Sequence, residues 1–130
     1  MIDMSKNRAG QVQKMVWFDR AAIAFLALGV TGHLMGSLTL TEPGSALQVW
    51  SLAGVLCAAL VVALNILRHL RPADAAIAWL AFAASFGWLV IALLFGRSLG
   101  NYFDFRVLWH GLGAAILTLI SLRAASLARP

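Results

Sequence analysis

Charge is scarce in this sequence. Lys and Arg number 10, Asp and Glu number 5, and together they make 12% of 130 residues. A soluble domain carries about a quarter charged residues to clothe its surface. Too few polar groups are present here to do that. Cysteine is nearly absent: Cys57 stands alone, so a disulfide scaffold is excluded. Only three prolines interrupt the chain. Intrinsic disorder is excluded from the opposite direction, because 62% of the residues are hydrophobic.

What is present is long apolar runs. Crossing about 30 Å of hydrocarbon takes roughly 20 helical residues. Four stretches reach that length: about 17–40, 46–67, 73–95 and 105–122. Lipid-exposed backbone must bond within its own segment, so each is expected to be helical. Runs such as Ala53 to Leu64 do not alternate apolar and polar residues, which excludes a barrel. The fold class expected is an all-α integral membrane protein, a single domain over 1–130 folded as a four-helix transmembrane bundle.

The separators carry helix punctuation. Pro43-Gly44 breaks the chain and Ser45 is placed to cap the second helix. Pro72 and Asp74 suit the start of the third. Basic residues set the orientation. Lys6, Arg8, Lys14, Arg20, Arg68, Arg71, Arg123 and Arg129 fall on one side, and only Arg97 and Arg106 on the other. The positive-inside rule then gives N-in/C-in. Trp17 and Trp79 mark the inner interface, Trp50 and Trp109 the outer one. The first span is longer than the apolar core of a signal peptide, so it is expected to stay in the membrane. A bacterial inner membrane is the location assumed. The basicity does not point to nucleic acid, since no basic face interleaved with aromatics exists.

Two segments look alike. Ala21 to Ala27 differs from Ala75 to Ala81 only at the aromatic, Phe25 against Trp79. Alanine and leucine are common enough here for chance to account for it.

Polar residues inside a membrane are costly, so each is a functional candidate. No acid lies in the middle of a span, which argues against a carboxylate-driven proton pump. Asp19 and Asp74 are read as helix-start charges paired with Arg20 or Arg71. His69 is read as solvated in a basic loop. Cys57 is read as a small apolar filler, Asn65 as a helix-to-helix hydrogen bonder, and Trp88 as core.

The informative pair is His33 and His110. His33 lies about 10 Å in from the outer end of the first helix, and His110 about 8 Å in from the outer start of the fourth. Opposite chain directions bring both to one depth. Gly29, Gly32 and Gly36 flank His33, and Gly111 and Gly113 follow His110. Small residues there leave room for a flat macrocycle, so two imidazoles are expected as axial ligands to the iron of haem b. Arg106 is one turn further out, placed to meet a propionate. A quinone headgroup among His33, His110 and Arg106 is the related expectation. The plainer reading is that Gly32-x-x-x-Gly36 only packs helices and that the histidines bond across to a hydroxyl.

Small residues recur four apart elsewhere: Gly54 and Ala58, Ala83 and Gly87, Gly111 and Ala115. They are expected to be the contact stripes of the bundle. No nucleophile–base–orienter set is visible, so an enzyme is disfavoured. The functional expectation is a small subunit or accessory partner of a larger membrane assembly, with the cofactor site at His33 and His110. The partner could equally be a second copy, and the remaining surface meets lipid. The alternatives are a cofactor-free assembly protein and a small dimeric transporter lined by Asn65, Ser85 and the histidines.

Overall fold

A computed structural model of the chain describes residues 4–128. Arg129, one of the basic residues that set the orientation, lies outside the described residues. Four helices follow one another: α1 (Met4–Thr39), α2 (Ala46–Leu70), α3 (Ala75–Ser98) and α4 (Phe105–Leu127). All four are long and apolar enough to span a membrane, over Gln13–Thr39, Ala46–Leu70, Ala75–Ser98 and Phe105–Leu127.

The helices run longer than the apolar stretches alone. Arg68 and His69 belong to the last turn of α2, and Arg97 to the last turn of α3. Hydropathy ends a span at the first charge. A helix does not, because a cation in its last turn complements the dipole. α1 starts well before Trp17. Its segment 13–18 is exposed on every side and stands clear of the bundle.

Each connection has a local cause. Gly44 adopts φ +77°, a left-handed conformation that glycine takes without strain. Ser45 then caps α2, its hydroxyl accepting from the Gln48 amide at 3.1 Å, while Gln48 Oε1 accepts from the Gly44 amide at 2.8 Å. Asp74 caps α3 by accepting from the Ile77 amide at 3.0 Å. Its backbone amide, and not its carboxylate, meets Arg71. α3 ends on a left-handed Gly100 at φ +63°. Gly100 donates to Arg97 O and Asn101 to Gly96 O, a Schellman closure. Asp104 caps α4.

Neighbouring helices are antiparallel and close a ring: α1 on α2, α2 on α3, α3 on α4, α4 on α1. The α3–α4 hairpin is the most intimate pair. The α1–α2 and α3–α4 loops therefore share one end of the bundle. The start of α1 and the end of α4 share the other with the α2–α3 turn.

The buried seam steps by three and four residues. On α2 it is Ala58, Val61, Asn65 and Arg68, continued outward by half-buried Ser51 and Gly54; on α3 it is Ala78, Ala81, Ser85, Trp88 and Ala92. That is the spacing of helices packed nearly parallel to each other's axes. The middle of the seam is apolar and tight, with Leu26, Ala58, Ala114 and Leu117 fully buried. Large side chains such as Leu60, Leu80 and Leu119 face outward.

Of the expected contact stripes, Gly54 and Ala58 on α2 do lie in the seam, while others differ. Ala83 and Gly87 are exposed, and a Cβ on Gly87 or on Gly32 would meet open space. Gly36 faces only Leu40, just past the end of its own helix. Alanine is so frequent on α3 that its spacing does not mark a face; Ser85 and Trp88 do. Gly29, Gly54, Gly96 and Gly113 are the glycines that admit close approach. Cys57 is not a filler, since it faces outward.

Candidate functional site

Two polar layers cross the bundle, one on each side of the apolar middle. The layer toward the two-loop end contains the histidines. His33 on α1 and His110 on α4 meet edge to face, ring centroids 5.7 Å apart and planes at 74°. Both are half-buried. The matched depth read from the sequence is therefore realised as contact.

All four helices contribute to this layer. Ser51 on α2 lies with its hydroxyl 3.3 Å from His33 Nε2. Ser37 on α1 lies 2.6 Å from Ser51, and also donates to the His33 carbonyl at 2.8 Å. Trp88 on α3 donates its indole N–H to His110 Nδ1 at 3.3 Å. Beside it, Trp109 stacks on Phe25 with centroids 4.1 Å apart and donates to the Phe25 carbonyl at 2.9 Å.

The room left by the glycines is taken by the protein's own rings. A Cβ on Gly29 would sit 2.5 Å from Trp109 Cδ1 and 3.3 Å from His110 Cε1. One on Gly54 would sit 3.3 Å from His33 Cε1, and one on Gly113 would meet Phe25 and Leu26 at 3.3 Å.

Arg106 is not drawn into the layer. Its guanidinium grips Asp104 with two bonds of 2.9 Å and lies 5.3 Å from the centre of the Phe95 ring. Its side chain is 62% exposed. The Arg106 side chain, then its backbone amide, hold the Asp104 carboxyl down at about 2. Arg106 thus closes the loop end of α4, and its side-chain hydrogen bonds go to Asp104 rather than to an imidazole.

The second layer, toward the chain-terminus end, was largely invisible in the sequence. Asn65 is fully buried and is its hub. Its amide donates to Ser85 on α3 at 2.9 Å and to the Val61 carbonyl at 2.9 Å. Its carbonyl accepts from Ser121 on α4 at 2.9 Å and from Arg68 Nε at 3.3 Å. Arg68 then pairs with Asp19 on α1, both side chains almost fully buried. Asp19 also meets His69 Nδ1 at 2.8 Å, and Arg20 Nε donates to His69 Nε2 at 3.1 Å.

Two expectations are corrected here. Asp19 pairs with Arg68 and His69, not with Arg20 or Arg71. His69 is not solvated in a loop; it ends α2 and is engaged on both nitrogens. Four helices are tied by side chains that all satisfy one another, since among the described residues no buried side-chain polar atom lacks a partner. Asn65 does bond helix to helix, as its type and depth suggest. The Asp19–Arg68 pair escaped notice because each charge sits beside the end of an apolar run, where a sequence reads it as a helix-end or flanking charge.

Among the described residues no group of three or more His, Cys, Asp or Glu side chains gathers in metal-binding proximity. No known family, curated protein or solved structure matches the chain.

Proposed function

We propose that this is a small membrane-embedded subunit or accessory partner of a larger assembly, and that its His33–His110 layer docks a lipid-soluble redox cofactor of the haem b or quinone class. It sits N-in/C-in in a bacterial inner membrane, with the layer in the outer half of the bilayer. Its role is to pass electrons between that cofactor and a partner protein. One observation carries the reading: side chains from all four helices converge on two half-buried imidazoles. Ionisable groups held at that depth are expensive, and they are kept where a pathway or ligand needs them. The outward-facing Gly32, with open space around it, supports a helix partner on that side of α1.

The test is purification in mild detergent from cells that make both cofactors. The optical spectrum is recorded oxidised and dithionite-reduced, and bound quinone is extracted and quantified. Stoichiometric cofactor that is lost in His33→Ala and in His110→Ala, and retained in Gln48→Ala, is the expected result. A colourless, quinone-free protein refutes the cofactor. Orientation is tested separately in a Cys57→Ser background. Single cysteines at Gly10 and Asn101 are labelled with an impermeant reagent in spheroplasts. Only the second should react from outside.

A further inference from the structure

We infer that α1 carries, where it leaves the bundle at the chain-terminus end, a site for the headgroup of an anionic phospholipid, with Arg20 binding the phosphate and Lys14 and Trp17 beside it. The inference needs only that the four helices span a membrane, and it stands apart from the cofactor reading.

Arg20 is the exposed end of a row of four ionisable side chains. Arg68 pairs with Asp19, Asp19 meets His69 Nδ1 at 2.8 Å, and His69 Nε2 accepts from Arg20 Nε at 3.1 Å. An arginine N–H only donates and a carboxylate only accepts. The His69 proton is therefore on Nδ1, and its Nε2 lone pair is what holds Arg20. On its other side the guanidinium lies 5.7 Å from the centre of the Trp17 ring. Only Nε is spent in this way. Among the described residues the two terminal nitrogens bond no other side chain, and Arg20 is exposed. A guanidinium held at its root with its fork open suits a phosphate, which takes two parallel N–H bonds.

Lys14 and Arg20 lie three residues to either side of Trp17, so one face of the helix reads cation, indole, cation. Gly10, Gln13, Lys14 and Trp17 line an open hollow along it. Trp17 is 62% exposed, and Met15, Val16 and Phe18 around it are exposed too. A protein partner would cover one side of the helix. Apolar side chains displayed on all sides, next to cations, fit the boundary between hydrocarbon and headgroups, where an indole sits at headgroup level.

Charge gives the sign of the headgroup. At this end Lys14, Arg20, Arg71 and Arg123 are exposed. The acids described there are committed within the protein, Asp19 to Arg68 and His69, Asp74 to the cap of α3. At the loop end Arg106 is paired with Asp104, and exposed Glu42 balances exposed Arg97. The uncompensated positive field is confined to one end, and an anionic leaflet is its complement.

The test is native mass spectrometry of the full chain in detergent micelles. It is titrated with phosphatidylglycerol and with phosphatidylcholine, and inorganic phosphate is added as competitor. Phosphatidylglycerol should bind more tightly than phosphatidylcholine. Lys14→Gln and Arg20→Gln should each cut that preference about fivefold, the worth of one cation at a charged membrane surface. Lys14 stands clear of the bundle, so its replacement leaves the fold intact. Arg97→Gln, at the loop end, should leave the preference unchanged, and millimolar phosphate should not displace the lipid. Equal binding of the two lipids overturns the inference. So does a preference that survives in the Lys14→Gln/Arg20→Gln variant, or that falls as far in Arg97→Gln. Displacement by phosphate overturns it too, by assigning the site to a soluble anion. Retention of neither lipid brings down the membrane reading with it.

Discussion

Replacing Asp19 by leucine should destabilise the bundle far more than replacing Asp19 and Arg68 together. The Arg68 guanidinium is 5% exposed and the Asp19 side chain 9%. Two unit charges about 4 Å apart attract by about 4 kcal/mol at an effective dielectric constant of about 20. That attraction offsets the cost of taking both ions out of water. Asp19→Leu removes it and leaves the cost. Arg68 then retains only the carbonyl of Asn65, at 3.3 Å. Breaking one side of a buried pair costs about 3–5 kcal/mol. Arg68→Leu should cost less than Asp19→Leu, because Asp19 keeps His69 Nδ1 at 2.8 Å.

The double variant Asp19→Leu/Arg68→Leu removes both charges. Apolar replacement of a buried ion pair is often neutral or better, so it should fall within about 1–2 kcal/mol of the native chain. The coupling energy of the cycle is then at least about 2 kcal/mol. Equilibrium unfolding in bicelles, monitored by steric trapping, gives all four stabilities. A double variant as unstable as the sum of the singles would refute the reasoning. So would an Asp19→Leu cost below about 1 kcal/mol, since that is what an exposed pair is worth.

Other outcomes follow from the same geometry. Gly29→Ala should cost about 1–3 kcal/mol in a detergent thermal melt, because its Cβ falls 2.5 Å from Trp109 and must push the indole off Phe25. Gly87→Ala, with open space around its Cβ, should leave the melt unchanged or raise it slightly. Asn65→Leu should cost about 1–3 kcal/mol, since it removes bonds to α3 and α4 worth about 0.6–1.7 kcal/mol each. The Asp104 carboxyl should titrate near 2 by carbon NMR. Its folded pKa is depressed, so the cap is present above the ordinary carboxylate range and is lost only as the pH falls through about 2. In Arg106→Gln that titration should move up.

How much of this could be read from the chain depends on which physical signal is redundant. Four spans were legible because roughly 20 apolar residues in a row have few alternatives. The depth match of His33 and His110 was legible because helical rise is fixed at about 1.5 Å per residue. The buried faces were not legible from small residues. A helix such as α3 has alanine at Ala75, Ala76, Ala78, Ala81, Ala83, Ala84 and Ala92, so any face can be drawn through it. The discriminating signal lay in the rare residues. Ser85 and Trp88 sit three apart on α3, Ser51, Gly54 and Asn65 fall on one three-and-four rhythm of α2, and Ser121 and His110 lie on the matching face of α4. In an apolar solvent a polar side chain is driven inward by the partners it can find, not outward by water. Charge obeys the same inversion. Asp19 was read as a helix-start charge and Arg68 as a flanking base because each lies beside the end of an apolar run. Here the bundle interior supplies what lipid cannot, an opposite charge and the carbonyl of Asn65.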